Sequence, residues 1–358
     1  MVKRFCEETP FDLRRSVVGI FQGFSGLEGF LMRILSGMRS TGRLHLGHLV
    51  TLEKWKELQD GGNECFYFIA NWHGLTSHIE ETASFREWTL DIVRTYVSVG
   101  LDPEKSVLFV QSAIKEHAEL FLYFSMLVSV SRLERVPTFK DQKEQITDRD
   151  LSSGGFLLYP VLQAADILMY LANGVPVGED QIYHVELTRE IARKFNAQFG
   201  EVFPEPEPLL ARVPKLPGTD GRKMSKSYGN FILVDTNEKE LWKMLAPMMT
   251  DPARKRRTDP GDPEKCPVWD YHKAFTSSQE ERDWVVNGCK TAGIGCLDCK
   301  KVLQKNLVER LSPVWEKFNY LRENPRLLDD IIEDGNSRAR TVAKETMRRV
   351  LGVTKLGW

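Results

Sequence analysis

The segment Thr41-Gly42-Arg43-Leu44-His45-Leu46-Gly47-His48 lies between an apolar run, Ile34 to Met38, and an amphipathic stretch from Leu49 to Leu58. A strand that turns tightly into a helix is the unit from which parallel sheets are wound. Gly42 and Gly47 permit the turn and a close backbone approach, the helix start offers amide groups to an anion, and His45 and His48 can donate to phosphate oxygens. The alternation continues through Glu64 to Ala70, Phe85 to Val99 and Val107 to Val110. It predicts an α/β fold, a doubly wound parallel sheet with helices on both faces. Ligands of such sheets bind beyond the carboxyl ends of the strands, where the His45 turn falls.

Past Val234 the pattern changes to helical periodicity without strands, as in Glu238 to Met248, Cys299 to Phe318 and Ser337 to Val350. The expected organisation is an extension over residues 1–31, an α/β domain over 32–234 and an all-helical domain over 235–358. Leu120 to Leu133 is apolar enough for a buried helix, with a subunit interface as its expected place. The polar run Lys140 to Asp150 reads as an active-site loop or a solvated linker, with Lys143 as a phosphate ligand in the first case. In the extension, Arg14 to Phe21 resembles a short targeting peptide, but its apolar stretch is brief and broken by Gln22. Two readings of the extension stand. Either Met32 is the biological start, since Glu28-Gly29 requires a purine-rich coding stretch resembling a ribosome-binding site just upstream, or residues 1–31 are a disordered extension.

The 49 basic and 50 acidic side chains give a net charge of -1, so bulk charge does not mark a nucleic-acid binder and local patches must. Arg254-Lys255-Arg256-Arg257 is such a patch, with four positive charges suited to the phosphates of a polyanion. No apolar run is long enough to span a bilayer, and a cytoplasmic enzyme without membrane contact is expected.

Lys223-Met224-Ser225-Lys226-Ser227 follows the turn-forming run Pro217-Gly218-Thr219-Asp220-Gly221. Such a cationic loop can close on a polyphosphate, where two ammonium groups neutralise charge as it develops at phosphorus. With the His45 turn upstream, the pair resembles the HIGH and KMSKS signatures of the class I aminoacyl-tRNA synthetases. Val175-Pro176-Val177-Gly178-Glu179-Asp180-Gln181, followed by His184 to Arg189, is similar to the ribose-binding turn and helix of the tryptophanyl and tyrosyl subclass. This resemblance covers nearly all of the chain from Met32 onward. It implies a Rossmann-type catalytic core, an anticodon-binding helical domain and a homodimer.

The resemblance also implies roles for individual residues. ATP, as its Mg2+ complex, would meet Arg39, Ser40, Thr41, Gly47, His48, Gly178, Glu179, Asp180, Gln181, Val213, Lys223, Met224, Ser225, Lys226 and Ser227. Of these, His48, Lys223 and Lys226 would act with His45 on the phosphates, Asp180 would hold the ribose, and Gly47 and Gly178 would leave room for adenosine. Tyr159, Gln163 and Asp166 are spaced four and three apart, so on a helix all three face one cavity. Tyr159 and Gln163 suit an α-amino group, and Asp166 can accept from either a phenol or an indole N–H. Leu35 and the small Gly37 suit a bicyclic ring, with Val175 and Val177 as an apolar wall and His73 at the pocket edge. The expected substrate is therefore L-tryptophan and the partner tRNA(Trp). A tyrosyl-tRNA synthetase and a catalytically silent RNA-binding relative are the alternatives, and the intact signatures speak against the second. Small nucleotidyltransferases share an HxGH turn but lack the lysine loop and the helical domain. Ser40 stands where a proline is common and Asn71 where an aspartate is usual, and both are expected near the site.

Four of the six cysteines, Cys266, Cys289, Cys296 and Cys299, are separated by twenty-two, six and two residues. Clustered thiols in a cytosolic chain most often mean metal. Zn2+ usually takes two close Cys pairs, and here only Cys296 and Cys299 form one. Iron–sulfur sites also use four thiolates with less regular spacing, and the spacing leaves both open. The resemblance favours the cluster, because some bacterial tryptophanyl members hold a [4Fe-4S] group beside the anticodon site.

Overall fold

A computed structural model describes residues 31–137, 153–210, 216–224 and 228–357. Met32–Trp358 clusters as one compact unit. Five parallel strands form its sheet: β1 (Arg33–Arg39), β2 (Glu64–Ala70), β3 (Ser106–Val110), β4 (Gly174–Val177) and β5 (Glu207–Leu210), in the order β3-β2-β1-β4-β5. The register runs from Arg33 opposite Glu64 to Arg39 opposite Ala70, and Ile34 pairs with Gly174. The chain therefore winds outward from β1 in one direction and then returns to its other side. The resulting switch point, between the carboxyl ends of β1 and β4, is where such sheets leave a crevice.

Strand periodicity explains the two faces. Ile34, Met38, Cys65, Tyr67, Ile69 and Leu108 enter one apolar core, and their neighbours Leu35, Phe66, Phe68, Val107 and Phe109 enter the other. The first core receives α1 (Leu46–Asp60), with α2 (Asn71–His78) leading on to α3 (Phe85–Val99). The second receives α4 (Glu116–Ser125), the short α5 (Val130–Leu133), α6 (Gly154–Met169) and α7 (Ile182–Phe199). Local chemistry sets several ends. The Ser153 hydroxyl accepts from Phe156 N–H at 3.2 Å to start α6, and Gly100, at φ 107°, closes α3.

The remaining helices are α8 (Glu238–Leu245), α9 (Pro267–Phe275), α10 (Gln279–Lys290), α11 (Cys296–Glu323) and α12 (Pro325–Thr354). They pack back onto the sheet: Leu303, Leu307 and Leu311 of α11 join the first core, and Ala339, Ala343 and Met347 of α12 join the second. At Gly335, α12 crosses the edge strand so closely that an added methyl would stand 1.8 Å from the Leu108 carbonyl oxygen. The Asn336 Oδ1 then accepts the Val110 N–H at 2.9 Å, occupying a donor that an edge strand leaves open.

One apolar stretch folds differently from its sequence expectation. Leu120 to Leu133 is not one buried helix, because α4 ends at Ser125 and Leu122, Met126 and Val130 are exposed. Apolarity alone does not say which face meets the core. No helix of the described residues is long and apolar enough to cross a membrane. Residues 1–30 and 138–152, including Lys143, lie outside the described residues.

Candidate active site

A cavity of about 480 Å3 opens at the switch point. All eight residues expected around the amino acid line it: Leu35, Gly37, His73, Tyr159, Gln163, Asp166, Val175 and Val177. Of the expected ATP residues, Arg39, His48, Gly178, Asp180 and Gln181 line the same cavity. Ser40, Thr41, Gly47, Glu179, Lys223 and Met224 lie outside its lining. Val213, Ser225, Lys226 and Ser227 fall outside the described residues.

The His45 turn is built differently from the expectation of bare amides. His45 caps α1 by accepting the Gly47 N–H on Nδ1 at 3.2 Å, and His48 Nδ1 accepts the His45 N–H at 3.1 Å. The Leu46 N–H goes to Ile232 O, and those of His48 and Leu49 go to His45 O. The helix start therefore has its first amides committed. With each Nδ1 an acceptor, the proton of either neutral ring sits on Nε2, so the imidazoles rather than the amides present donors. Gly42 takes φ 115°, which requires glycine, whereas a methyl at Gly47 would stand 3.0 Å from the His45 ring.

The lysine loop is tied to this turn. Val234 N–H donates to Leu44 O, His45 bridges Leu233, and the Phe231 ring centroid lies 6.3 Å from that of His45. Arg43 pairs with Asp235 just beyond. The loop stem is a hairpin closed by Pro217 and Lys223, and Asn230 donates to both Asp220 Oδ1 and Lys223 O. Hydrogen bonds from Asn230 and Arg222 pull the Asp220 carboxyl down to about 2. Met224 is buried beside Gly47, which anchors the loop and leaves Lys223 exposed.

Asp166 sits at the cavity floor with no exposed surface. It accepts from His73 Nε2 at 2.8 Å, from His117 Nδ1 at 2.6 Å and from Gln111 Nε2 at 2.9 Å on both oxygens. Burial alone would raise its carboxyl, but the hydrogen bonds from His117 and His73 outweigh that and lower it, so the group is an anion. His117 Nε2 in turn accepts from the Tyr170 hydroxyl at 2.8 Å. Gln111 also accepts the Trp72 N–H on Oε1, which holds the start of α2 against the floor. Gln111 and His117 were not legible as site residues. Gln111 carried one usable signal, a polar residue directly after an apolar strand, and His117 carried none.

At the opposite wall Tyr159 Oη lies 3.1 Å from His184 Nε2, and His184 Nδ1 lies 2.8 Å from Gln181 Oε1. The amide oxygen can only accept, so His184 donates from Nδ1 and receives the Tyr159 proton on Nε2. Burial pushes the His184 imidazole down to about 4. Arg39 lines the cavity and makes no ion pair among the described residues; desolvation by the surrounding wall lowers its guanidinium from the usual value.

Two expectations about shape need correction. The space beside Gly37 is not open, because a methyl there would stand 2.5 Å from the Phe68 ring, which itself lines the cavity. At Gly178 the space is taken by Asp180 Oδ1, at 2.8 Å from an added methyl. Asn71 does not line the cavity; its amide exchanges hydrogen bonds with Ser112, donating to the hydroxyl at 2.7 Å and accepting the N–H at 3.1 Å.

Away from this cavity, Cys266, Cys289, Cys296 and Cys299 all line one small pocket with Val268, Trp269 and Arg254. Burial, then repulsion from Cys266, Cys289 and Cys296, pushes the Cys299 thiol up. His272 Nε2 stands 3.3 Å from Cys299 Sγ. Among the described residues no group of three or more His, Cys, Asp or Glu is arranged to hold a metal ion. The donor set itself is four soft sulfurs in a pocket whose lining includes no carboxylate, which suits thiolate-bound iron or zinc. Arg254 is buried, so the basic run exposes three charges rather than four.

The sequence family described as class I tRNA synthetases (W and Y) matches residues 31–312. The tryptophan–tRNA ligase of Thermotoga maritima is 63% identical over 320 residues, covering 89% of this chain and 98% of that protein. That of Aquifex aeolicus is 40% identical, with 89% and 98% covered. Among solved structures, the Campylobacter jejuni tryptophanyl-tRNA synthetase complexed with ADP and tryptophan aligns with a TM-score of 0.81 and 35% identity, over 91% of this chain and all of that one. The chain belongs to the class I tRNA synthetases of the tryptophan and tyrosine group. Within that group it falls among the tryptophan–tRNA ligases.

Proposed function

We infer that this cavity binds L-tryptophan beside ATP–Mg2+, forms tryptophanyl-adenylate with release of pyrophosphate, and passes the acyl group to tRNA(Trp) with release of AMP. The observation that carries this reading is one cavity at the β1/β4 switch point whose lining includes all eight expected amino-acid residues together with the expected nucleotide residues Arg39, His48, Gly178, Asp180 and Gln181. Phe68, Leu35 and Val175 give the indole an apolar bed, and the Asp166 anion accepts its N–H. Tyr159 and Gln163 face the α-ammonium group. The carboxylate then attacks the α-phosphorus without a protein nucleophile, so catalysis is positioning and charge stabilisation. His45 and His48 donate from Nε2 to the phosphates, Asp180 holds the ribose, and Lys223 with Lys226 follows the pyrophosphate as the loop closes. Magnesium comes with the nucleotide and neutralises its phosphate charge.

The remaining parts of the reading are assigned on chemistry and resemblance. The helical region from residue 235 meets the anticodon arm, with Lys255, Arg256 and Arg257 on its phosphates. Cys266, Cys289, Cys296 and Cys299 hold a [4Fe-4S] cluster, with Zn2+ as the alternative, and its chemistry there is structural cross-linking of the recognition surface. Leu122, Met126 and Val130 offer an apolar face for a second copy in a homodimer. The enzyme works in the cytoplasm. ATP–pyrophosphate exchange across the amino acids tests the central step. Exchange with tryptophan is expected, and exchange with tyrosine but not tryptophan would overturn it.

A further inference from the structure

Among the described residues Arg254 is the one cation that lines the four-thiol pocket, Lys300 being buried nearby with its ammonium on the Ala246 and Met248 carbonyls, and the Arg254 side chain reaches in two directions. Nη1 lies 3.9 Å from Cys289 Sγ. Nη2 donates to the carbonyls of Arg257, at 3.0 Å, and Ile294, at 2.5 Å. Among the described residues its Nε is buried without a partner, and no carboxylate forms an ion pair with it. The nearby Asp251 carboxylate is occupied by the backbone amides of Ala253 and Asp262.

Asp251 acts on Arg254 through its charge alone, and a buried guanidinium with no carboxylate in contact is costly. The four thiols become its natural counter-charge once they hold a metal group, because four thiolates carry more negative charge than a [4Fe-4S] core, its sulfides included, or a zinc ion carries positive. The other end of Arg254 grips the peptide that presents Lys255, Arg256 and Arg257 to solvent. A second tie runs between the same two places: Arg257 pairs with Asp298 at 3.5 Å, and Asp298 sits between Cys296 and Cys299 while accepting the Gly295 N–H.

We propose that Arg254 is the positioning residue through which a metal group on the four thiols fixes the basic strip 255–257 for tRNA. The proposal rests on the reading of those cysteines as ligands. Loading the thiols holds Arg254 in place, Arg254 holds the Arg257 carbonyl, and the strip then presents its charges in one arrangement. Emptying the thiols removes the counter-charge and loosens the strip, while the adenylate-forming cavity, which shares no lining residue with the thiol pocket, is unaffected.

The test uses the full chain purified without oxygen, with iron and zinc content, visible absorption, tRNA affinity against salt and ATP–pyrophosphate exchange measured on each protein. Arg254→Lys keeps a charge but has one nitrogen, so it cannot face Cys289 and hold the Arg257 and Ile294 carbonyls from two ends as Nη1 and Nη2 do, and Arg254→Gln removes the charge. Arg254→Lys is expected to keep its metal and its exchange rate while losing tRNA affinity about tenfold, with a salt slope lower by about 1 to 3 as strip contacts are lost. Arg254→Gln is expected to lose at least as much affinity. A fully loaded Arg254→Lys protein that binds tRNA as the unaltered protein does overturns the proposal. An unaltered protein that carries no metal sinks the ligand reading instead, which the metal analysis reveals before any tRNA is added.

Discussion

His117 Nδ1 lies 2.6 Å from Asp166 Oδ1, and neither side chain has appreciable contact with solvent. The carboxylate can only accept, so this nitrogen carries the proton and the other ring nitrogen takes the Tyr170 hydroxyl proton. His117→Ala removes a donor from a buried anion and strands the Tyr170 hydroxyl. A loss of about 3 kcal/mol in unfolding free energy is expected, with weaker tryptophan binding by calorimetry because the Asp166 oxygens are no longer held in place. A variant as stable as the parent in urea would mean that the relay is not a structural element.

His184 carries the pH dependence of the opposite wall. Its folded value, lowered to about 4 by burial, lies below the ordinary imidazole value, so the unfolded chain binds the proton more readily. Its contribution is complete above the ordinary imidazole range and is lost as the pH falls toward about 4. Urea midpoints at neutral and mildly acid pH are therefore expected to fall less in His184→Gln than in the parent. The difference is about 2 kcal/mol between about pH 7 and pH 5. Equal falls in the two proteins would contradict the assignment.

The Ser40 hydroxyl is fully buried and has no hydrogen-bond partner among the described residues. Removing an unsatisfied buried group recovers its desolvation cost, so Ser40→Ala is expected to gain about 1 kcal/mol. The same variant separates a structural from a substrate-binding role. An unchanged KM for ATP accompanies the first, and a raised KM would restore Ser40 to the nucleotide site.

The thiol pocket is tested most directly by its contents. Anaerobically purified protein is expected to be brown, absorbing at roughly 400 nm, with four irons for each chain. Stoichiometric zinc without iron would refute the cluster and leave a structural zinc site in its place.

The sheet and part of the cavity lining were readable because they follow periodic rules. Alternation marked β1 to β3, and the spacing of Tyr159, Gln163 and Asp166 put three cavity residues on one face of α6. What escaped was set by partners distant in the chain. Gly37 is small because Phe68 needs the space, the amides at the start of α1 are committed partly because residues 231–234 pair with the turn, and His117 matters only because α4 brings it to Asp166. The face of α4 that points outward likewise depends on what the rest of the chain covers.

The crossing of α12 over the sheet edge sets two effects of opposite sign against each other at Gly335. In a helix interior, alanine for glycine ordinarily stabilises by about 1 kcal/mol. Here the added methyl would stand 1.8 Å from the Leu108 carbonyl oxygen, so helix and strand must separate. Separation stretches the bond from Val110 N–H to Asn336, and the Arg338 bond to the Pro103 carbonyl with it. Overpacking against backbone costs about 3 kcal/mol or more, which exceeds the propensity gain. Gly335→Ala is therefore expected to lower the urea midpoint. Because β3 leads directly into Gln111, which grips Asp166, the variant should also bind tryptophan more weakly. A midpoint that rises, as helix propensity alone requires, would show that α12 does not cross the strand at this distance.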